Sequence, residues 1–159
     1  MDVVLAFEGD RHSGFRMVRG TKNRFGPSDE VGCFEMAEEG IVEVPDPSGL
    51  FTSRHEEQVP GTCVTVTMEG RRPLLAELEA LVGNSSLQLP RRTMHGVDPG
   101  RLAMVLAVLD RRAKVKLSDK DVYVSTVGGA RVVDPSADLA AAIAVASSAL
   151  NVSMTERCI

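Results

Sequence analysis

"TCVTVTMEGRRPLLAELEALVG", Thr62 to Gly83, is the stretch on which the architecture turns. Its opening run, "TCVTVTME", alternates with β-branched residues as a half-buried strand does. The part that follows fits two patterns at once. Leu74, Ala76, Leu78, Ala80 and Val82 alternate as in a strand, while Leu74, Leu75, Leu78 and Leu81 also fall on one face of a helix. Periodicity alone does not decide between them.

Downstream, two helices are plainer. "DPGRLAMVLAVLDRRAK" (98–114) opens with Asp98 as N-cap and Pro99 at the first helical position, where a missing N–H costs nothing. Leu102, Val105, Leu106 and Leu109 supply its apolar face, and Arg111, Arg112 and Lys114 close it at the negative end of the dipole. "DPSADLAAAIAVASSAL" (134–150) repeats the device with Asp134 and Pro135, each cap adding about 1 kcal/mol. Its Ala-rich body predicts close packing on a sheet. Between the helices, "DVYVSTV" (121–127) and "ARVV" (130–133) are separated by Gly128 and Gly129, which reads as a tight hairpin or a close backbone approach. The expected class is α/β or α+β, with a mixed sheet and two helices in this portion.

Upstream, "VVLAF" (3–7) and "FRMVR" (15–19) flank the polar turn cluster "EGDRHSG", and "VGCFEM" (31–36) and "GIVEVP" (40–45) repeat the pattern. This predicts an antiparallel strand meander whose longest loop is "KNRFGPSDE" (22–30). A small sheet with no covering helix is marginal in water, so the segment reads as the edge of a larger domain. "PDPSGLFTSRHEEQVPG" (45–61) has the composition of a linker, with one helical turn at "SGLF". The domains are therefore placed at 1–46 and 61–159, with 47–60 between them.

Composition narrows the function classes. A chain of 159 residues, 43% hydrophobic and 25% charged, holds one good core or two small ones. With 18 Lys and Arg against 22 Asp and Glu, the net charge of −4 argues against binding nucleic acid through the whole surface. Any such contact needs a local patch. Cys33, Cys63 and Cys158 lie far apart with no C-x-x-C pair, which indicates neither a zinc site nor a disulfide framework and fits a reducing cytoplasm. "MDVVLAFEGD" (1–10) lacks the basic start and cleavage site of a signal peptide, and "LAAAIAVASSAL" (139–150) is too short to span a bilayer, so no membrane role is expected. No G-x-x-x-x-G-K-[ST] loop occurs in the sequence, so no such loop is available to cradle a nucleotide's phosphates. "VVLAFEGD" (3–10) could pass for a Walker B strand ending at Glu8, but without that loop it reads as a plain strand.

Lys22, Asn23, Arg24, Phe25 and Gly26, followed by "DEVGCFEM" (29–36), resemble the signature of the bacterial RadA (Sms) family of DNA repair proteins. "VPGTCVTVTMEGRRPLLAELEALV" (59–82), "PRRTMHGVDPGRLAMVLAVLDRR" (90–112) and "DVYVSTVGGARVVDPSADLA" (121–140) are similar to that family's C-terminal Lon-protease-like domain. The resemblance covers nearly the whole chain. It implies that residues 1–46 are the last strands of a RecA-type ATPase core, that 61–159 are a Lon-like domain ending before the family's own does, and that "PLLAELEALV" (73–82) is a strand. Family members are ring-shaped, DNA-dependent ATPases that drive branch migration in recombination. ATP with magnesium, and the zinc of an N-terminal ribbon, belong to the full-length family, and no cofactor is expected in this chain.

For Lys22 and Arg24 the resemblance implies a place at the subunit interface of a hexamer, near a neighbour's nucleotide and the bound DNA. An ammonium and a planar guanidinium on a Gly-Pro-bounded loop suit that role, because they can stabilise charge on a transferring phosphoryl group in trans. The plain alternative is a solvated turn. Asn23, Phe25 and Gly26 read as structural, shaping and packing the loop. Ser136 falls, by resemblance, where Lon proteases keep their nucleophilic serine, although Asp138 stands near it in place of a small residue. A serine nucleophile needs a base, the Lon pattern supplies a downstream lysine, and no Lys follows Lys120. His12, His55 and His95 show no partner spacing that would replace it. Ser136 is therefore read as a vestigial position, with residual serine peptidase activity as the competing class. Arg71, Arg72, Arg91, Arg92, Arg111, Arg112, Lys114, Lys116 and Lys120 gather in the second domain. Most are expected to be solvated element ends. Arg91, Arg92, Arg111, Arg112, Lys114 and Lys116 are the candidates for weak, sequence-independent contact with DNA phosphates, because they lack the interleaved aromatics of a base-stacking surface. A third class is a purely structural oligomerisation scaffold.

Overall fold

The computed structural model describes residues 2–9, 14–28, 30–53 and 59–154. The chain falls into two units, one of Met1–Gly49 with Met68–Leu74 and the other of Leu50–Thr67 with Leu75–Ile159.

The larger unit is built on a four-stranded sheet of order β5-β6-β8-β7, comprising β5 (Thr62–Glu69), β6 (Arg72–Asn84), β7 (Arg92–Met94) and β8 (Lys120–Thr126). The ambiguous stretch is strand β6. Leu74, Ala76, Leu78 and Ala80 are buried, whereas Leu75 and Leu81, which the helical pattern needs inside, are 37% and 65% exposed. Position in the sheet explains this, since β6 is hydrogen-bonded between β5 and β8 and a central strand can bury alternate residues along its length. Gly70 and Arg71 join β5 to β6, a connection short enough only for antiparallel neighbours. β6 and β8 are antiparallel and β7 and β8 parallel, so the sheet is mixed. Between β7 and β8 the chain makes its crossover through α1 (Pro99–Arg111).

α1 starts as expected, with the Asp98 carboxylate accepting the Arg101 amide at 2.8 Å. α2 (Ala137–Leu150) starts two residues after Pro135, with Ser136 at the N-cap and no side-chain cap bond. Asp134 does not serve as the expected cap there. Its carboxylate instead accepts the Thr67 hydroxyl at 2.8 Å, tying the turn to β5. The Ala-rich body packs as predicted, with Ala137, Ala140, Ala141, Ala144 and Val145 buried. Two serines then fasten its C-terminal end: Ser147 Oγ accepts the Gly61 amide and Ser148 Oγ the Val82 amide, both at 2.9 Å. Leu102, Leu106 and Leu109 from α1 join Leu78, Leu117, Val122, Val124 and Val145 in one core.

"ARVV" is not the second arm of a hairpin. Val127–Gly129 form a 3-10 turn, and Val132 makes only an isolated parallel bridge to Val97. The other reading of the glycine pair holds: Gly128 has φ of 65°, and a Cβ on it would lie 2.3 Å from the Leu50 carbonyl oxygen.

The smaller unit is the predicted antiparallel meander of β1 (Val3–Glu8), β2 (Phe15–Asn23), β3 (Val31–Ala37) and β4 (Gly40–Glu43). Among the described residues its buried apolar side chains are few, namely Phe15, Val31, Cys33, Pro47 and Leu74. Ion pairs add to it, Arg19 reaching both Glu8 and Glu69. Burial pushes the Cys33 thiol up, against the nearby Arg72 guanidinium that pulls it down. Among the described residues no helix is long and apolar enough to cross a membrane.

Candidate functional site

The cation pair of the meander is presented by a bulge and a turn. Val4 pairs with Lys22 and Leu5 with Gly20, so Thr21 is the extra residue of β2, and its hydroxyl donates to the Val4 carbonyl at 3.2 Å. Bulges re-aim the side chains that follow them. Lys22 is thus on the strand and not in the loop where the sequence placed it, and it is exposed. Asn23 then sets the turn: its Oδ1 accepts the Phe25 amide at 3.0 Å and its Nδ2 donates to the Pro27 carbonyl at 3.3 Å. This is the local side-chain mimicry of a backbone turn that Asn favours. Arg24 stands on that turn with its amide bonded to the Asp2 carbonyl at 2.9 Å and its guanidinium 3.3 Å from the Asp2 carboxylate. Both side chains are largely exposed, at 72% and 56%. An exposed pair of this kind is worth little, so Arg24 is free to exchange Asp2 for a stronger anion. The expectation that Phe25 packs the loop is not met, because its ring is 79% exposed. Gly26 sits closely under Asn23, where a Cβ would lie 3.2 Å from Nδ2.

The second group of cations lies on the larger unit, around the end of α1 and the start of β8. Arg111, Arg112, Lys114 and Lys116 are exposed, and among the described residues none of them makes an ion pair. Burial alternates over the segment, with Val115 and Leu117 inward and Lys114 and Lys116 outward. Arg91 and Arg92 are employed differently. Arg92 gives its guanidinium to the carbonyls of Arg91, Leu117 and Lys120, so it braces the segment that carries the lysines. The Arg91 amide donates to the Asp121 carboxylate at 2.6 Å, which with Ser85 and the nearby guanidinium groups holds Asp121 below the usual carboxylate range.

Asp110 and Asp121 organise this strip, and sequence reasoning missed both. Asp110 accepts the Leu117 amide at 3.0 Å and so bends the chain after α1 back onto the core. A signal was present, because an acid in the last turn of a helix opposes the dipole and calls for a specific partner.

Ser136 lies at the rim of a shallow groove of about 220 Å³ lined by Val64, Thr65, Val66, Leu75, Leu139, Ala140 and Ile143. None of these residues titrates, and the Ser136 hydroxyl donates to the Val66 carbonyl at 3.3 Å. A hydroxyl without a base beside it is a weak nucleophile. Asp138 forms a two-toothed ion pair with Arg101, at 3.1 Å to Nε and 2.5 Å to Nη2, joining the first turns of α2 and α1. This bond holds the Arg101 guanidinium above its usual range. Cys33 and Cys63 are buried, and His12, His55 and Cys158 lie outside the described residues.

The site features therefore define a mixed α/β chain that displays cations on organised loops. No protein-family model matches the chain. Individual proteins do. It is 52% identical over 159 residues, all of the chain and 34% of the relative, to the DNA repair protein RadA of Mycolicibacterium smegmatis. Identity to the DNA repair protein RadA of Mycobacterium tuberculosis is 50% over 151 residues, 95% of the chain and 32% of the relative. To that of Bacillus subtilis it is 43% over 148 residues, 93% of the chain and 32% of the relative. The chain spans about a third of the length of the curated relatives it matches. It corresponds to a C-terminal part of RadA-type DNA repair proteins.

Proposed function

We propose that this chain is a contact module of a RadA-type DNA repair protein that acts as a DNA-dependent ATPase in branch migration. Lys22 and Arg24 reach a neighbouring subunit's ATP and its magnesium within a hexameric ring, and the larger unit, a Lon-like fold without proteolytic chemistry, serves ring assembly and contact with DNA phosphates. The observation that carries this reading is the presentation of Arg24: a turn locked by Asn23 holds it outward, and among the described residues only a weak exposed pair with Asp2 competes for it. Nucleotide and zinc sites are assigned to other parts of the parent protein. Arg24→Ala in the full-length protein is expected to leave the fold intact and depress DNA-stimulated ATP hydrolysis by about a hundredfold or more, since a finger supplied in trans stabilises charge in the transition state. Unchanged hydrolysis defeats the assignment.

The DNA surface is assigned to Arg111, Arg112, Lys114 and Lys116, with Arg91 and Arg92 at its edge. Binding of this chain to a short duplex should weaken as salt rises, and Lys114→Ala with Lys116→Ala should flatten the slope of log K against log salt by about 2. Fluorescence anisotropy across a salt series measures this, and a slope that does not change removes the two lysines from the surface.

A further inference from the structure

We propose that the outer face of α1 is a self-association surface, and that its occupant is the same helix of a second copy of this chain, packed antiparallel about a two-fold axis. A surface helix ordinarily turns charge outward. α1 does not. Between its cap and Arg111 its exposed positions are Pro99, Gly100, Ala103, Met104, Ala107 and Val108, with Met104 72% and Val108 57% exposed. Leu102, Leu106 and Leu109 face the core, so the helix is apolar on both sides while only one side is covered. Its two charged residues in this span are turned aside, Arg101 to Asp138 and Asp110 to the Leu117 amide.

The helix itself indicates what covers that face. Gly100, Met104, Ala107 and Arg111 follow each other at intervals of four, three and four, the spacing of a helix-pair seam. With a second α1 run antiparallel about the midpoint, Met104 meets Ala107 of the other copy and Arg111 crosses over Gly100, while Val108 and Ala103 flank this seam on opposite sides. Each bulky side chain meets a small one, which is the condition for close interdigitation. The ends complement each other too. In this register Asp98, exposed at the N-cap, comes one residue from Arg112 of the other copy, within reach of that long side chain, and the symmetry makes the contact twice while opposing the two helix dipoles. Such a contact is isologous, unlike the head-to-tail contact that closes a ring, so it goes beyond the ring assembly proposed above and would join two subunits or two rings.

Sedimentation equilibrium of the full chain over a concentration series tests this, with Met104→Glu and Arg112→Glu as variants and circular dichroism as the check on folding. The mass should rise toward two copies with concentration. Met104→Glu, at an exposed position, should keep the helical signal and raise the dimer dissociation constant at least about tenfold. Arg112→Glu should raise it less and abolish its dependence on salt. A chain that stays monomeric, or a dimer that Met104→Glu leaves as tight as before, overturns the proposal. An assembly larger than two copies that Met104→Glu disperses also overturns it, by giving the face to a different occupant.

Discussion

The two units of this chain solve the same problem with unequal means. The larger unit covers a mixed sheet with α1 and α2 and gathers a continuous core of leucine, valine and alanine. Among the described residues the meander has four strands and no α-helix of its own, and the interior of its unit rests on Phe15, Val31, Cys33, Pro47 and Leu74. Val3, Leu5 and Phe7 of its first strand are 45%, 56% and 67% exposed. Helical cover distinguishes a self-supporting layer from a sheet that must borrow stability from ion pairs, bulges and turns. The exposed cations follow the same division. In the larger unit they stand on a segment braced by Arg92 and Asp110, while in the meander Lys22 stands at the end of β2 and Arg24 on a turn that Asn23 holds with the weak help of Asp2.

Truncation of a core residue should break the comparison most visibly. Leu78 is fully buried at the centre of the larger unit, so Leu78→Ala should cost about 2–5 kcal/mol, measured by chemical denaturation. Gly128→Ala comes next, since a Cβ there meets the Leu50 carbonyl at a φ that L residues avoid, and a loss of at least about 1–3 kcal/mol is expected in the same assay. Hydrogen exchange then sharpens the contrast: amides of β1 to β4 should exchange through openings of lower free energy than those of β6 and β8. Equal protection in both sheets would remove the distinction. Asp98→Ala, which deletes a cap, should cost about 1 kcal/mol.

The smallest effect is acidic. Asp121 and Asp46 titrate below the ordinary carboxylate value of about 3.9 because backbone amides hydrogen-bond their charged forms. A carboxylate whose folded pKa is depressed contributes fully above its unfolded value and loses that contribution as pH falls through the folded one. Their support should therefore be complete at neutral pH and decline only below about pH 4, and Asp121→Asn should flatten that acid limb of a stability–pH curve.

Much of the fold was legible because local patterns agreed with it. The meander announced itself through short β-rich runs divided by turn residues, α1 through Asp98-Pro99 and its leucine face, and α2 through its alanines. The site was legible in its residue types but not in their use. Nothing local distinguishes Arg92, which braces three carbonyls, from Arg111, which faces water. Nor does anything in the stretch from Asp134 to Asp138 indicate that Thr67 claims the first carboxylate and Arg101 the second, since those partners lie 67 and 37 residues away.

By itself the sequence determined the elements with strong period or capping chemistry, the absence of a phosphate loop, and the resemblance that whole-chain identity to RadA proteins bears out. Only the tertiary structure decided the rest. β6 is a strand because β5 and β8 flank it, Gly128 makes a close approach because Leu50 passes beside it, and Lys22 stands on a strand because a bulge at Thr21 keeps β2 paired with β1. In each case the deciding partner is distant in sequence, and hydrogen-bond satisfaction and burial between distant segments act only once the chain has brought them together.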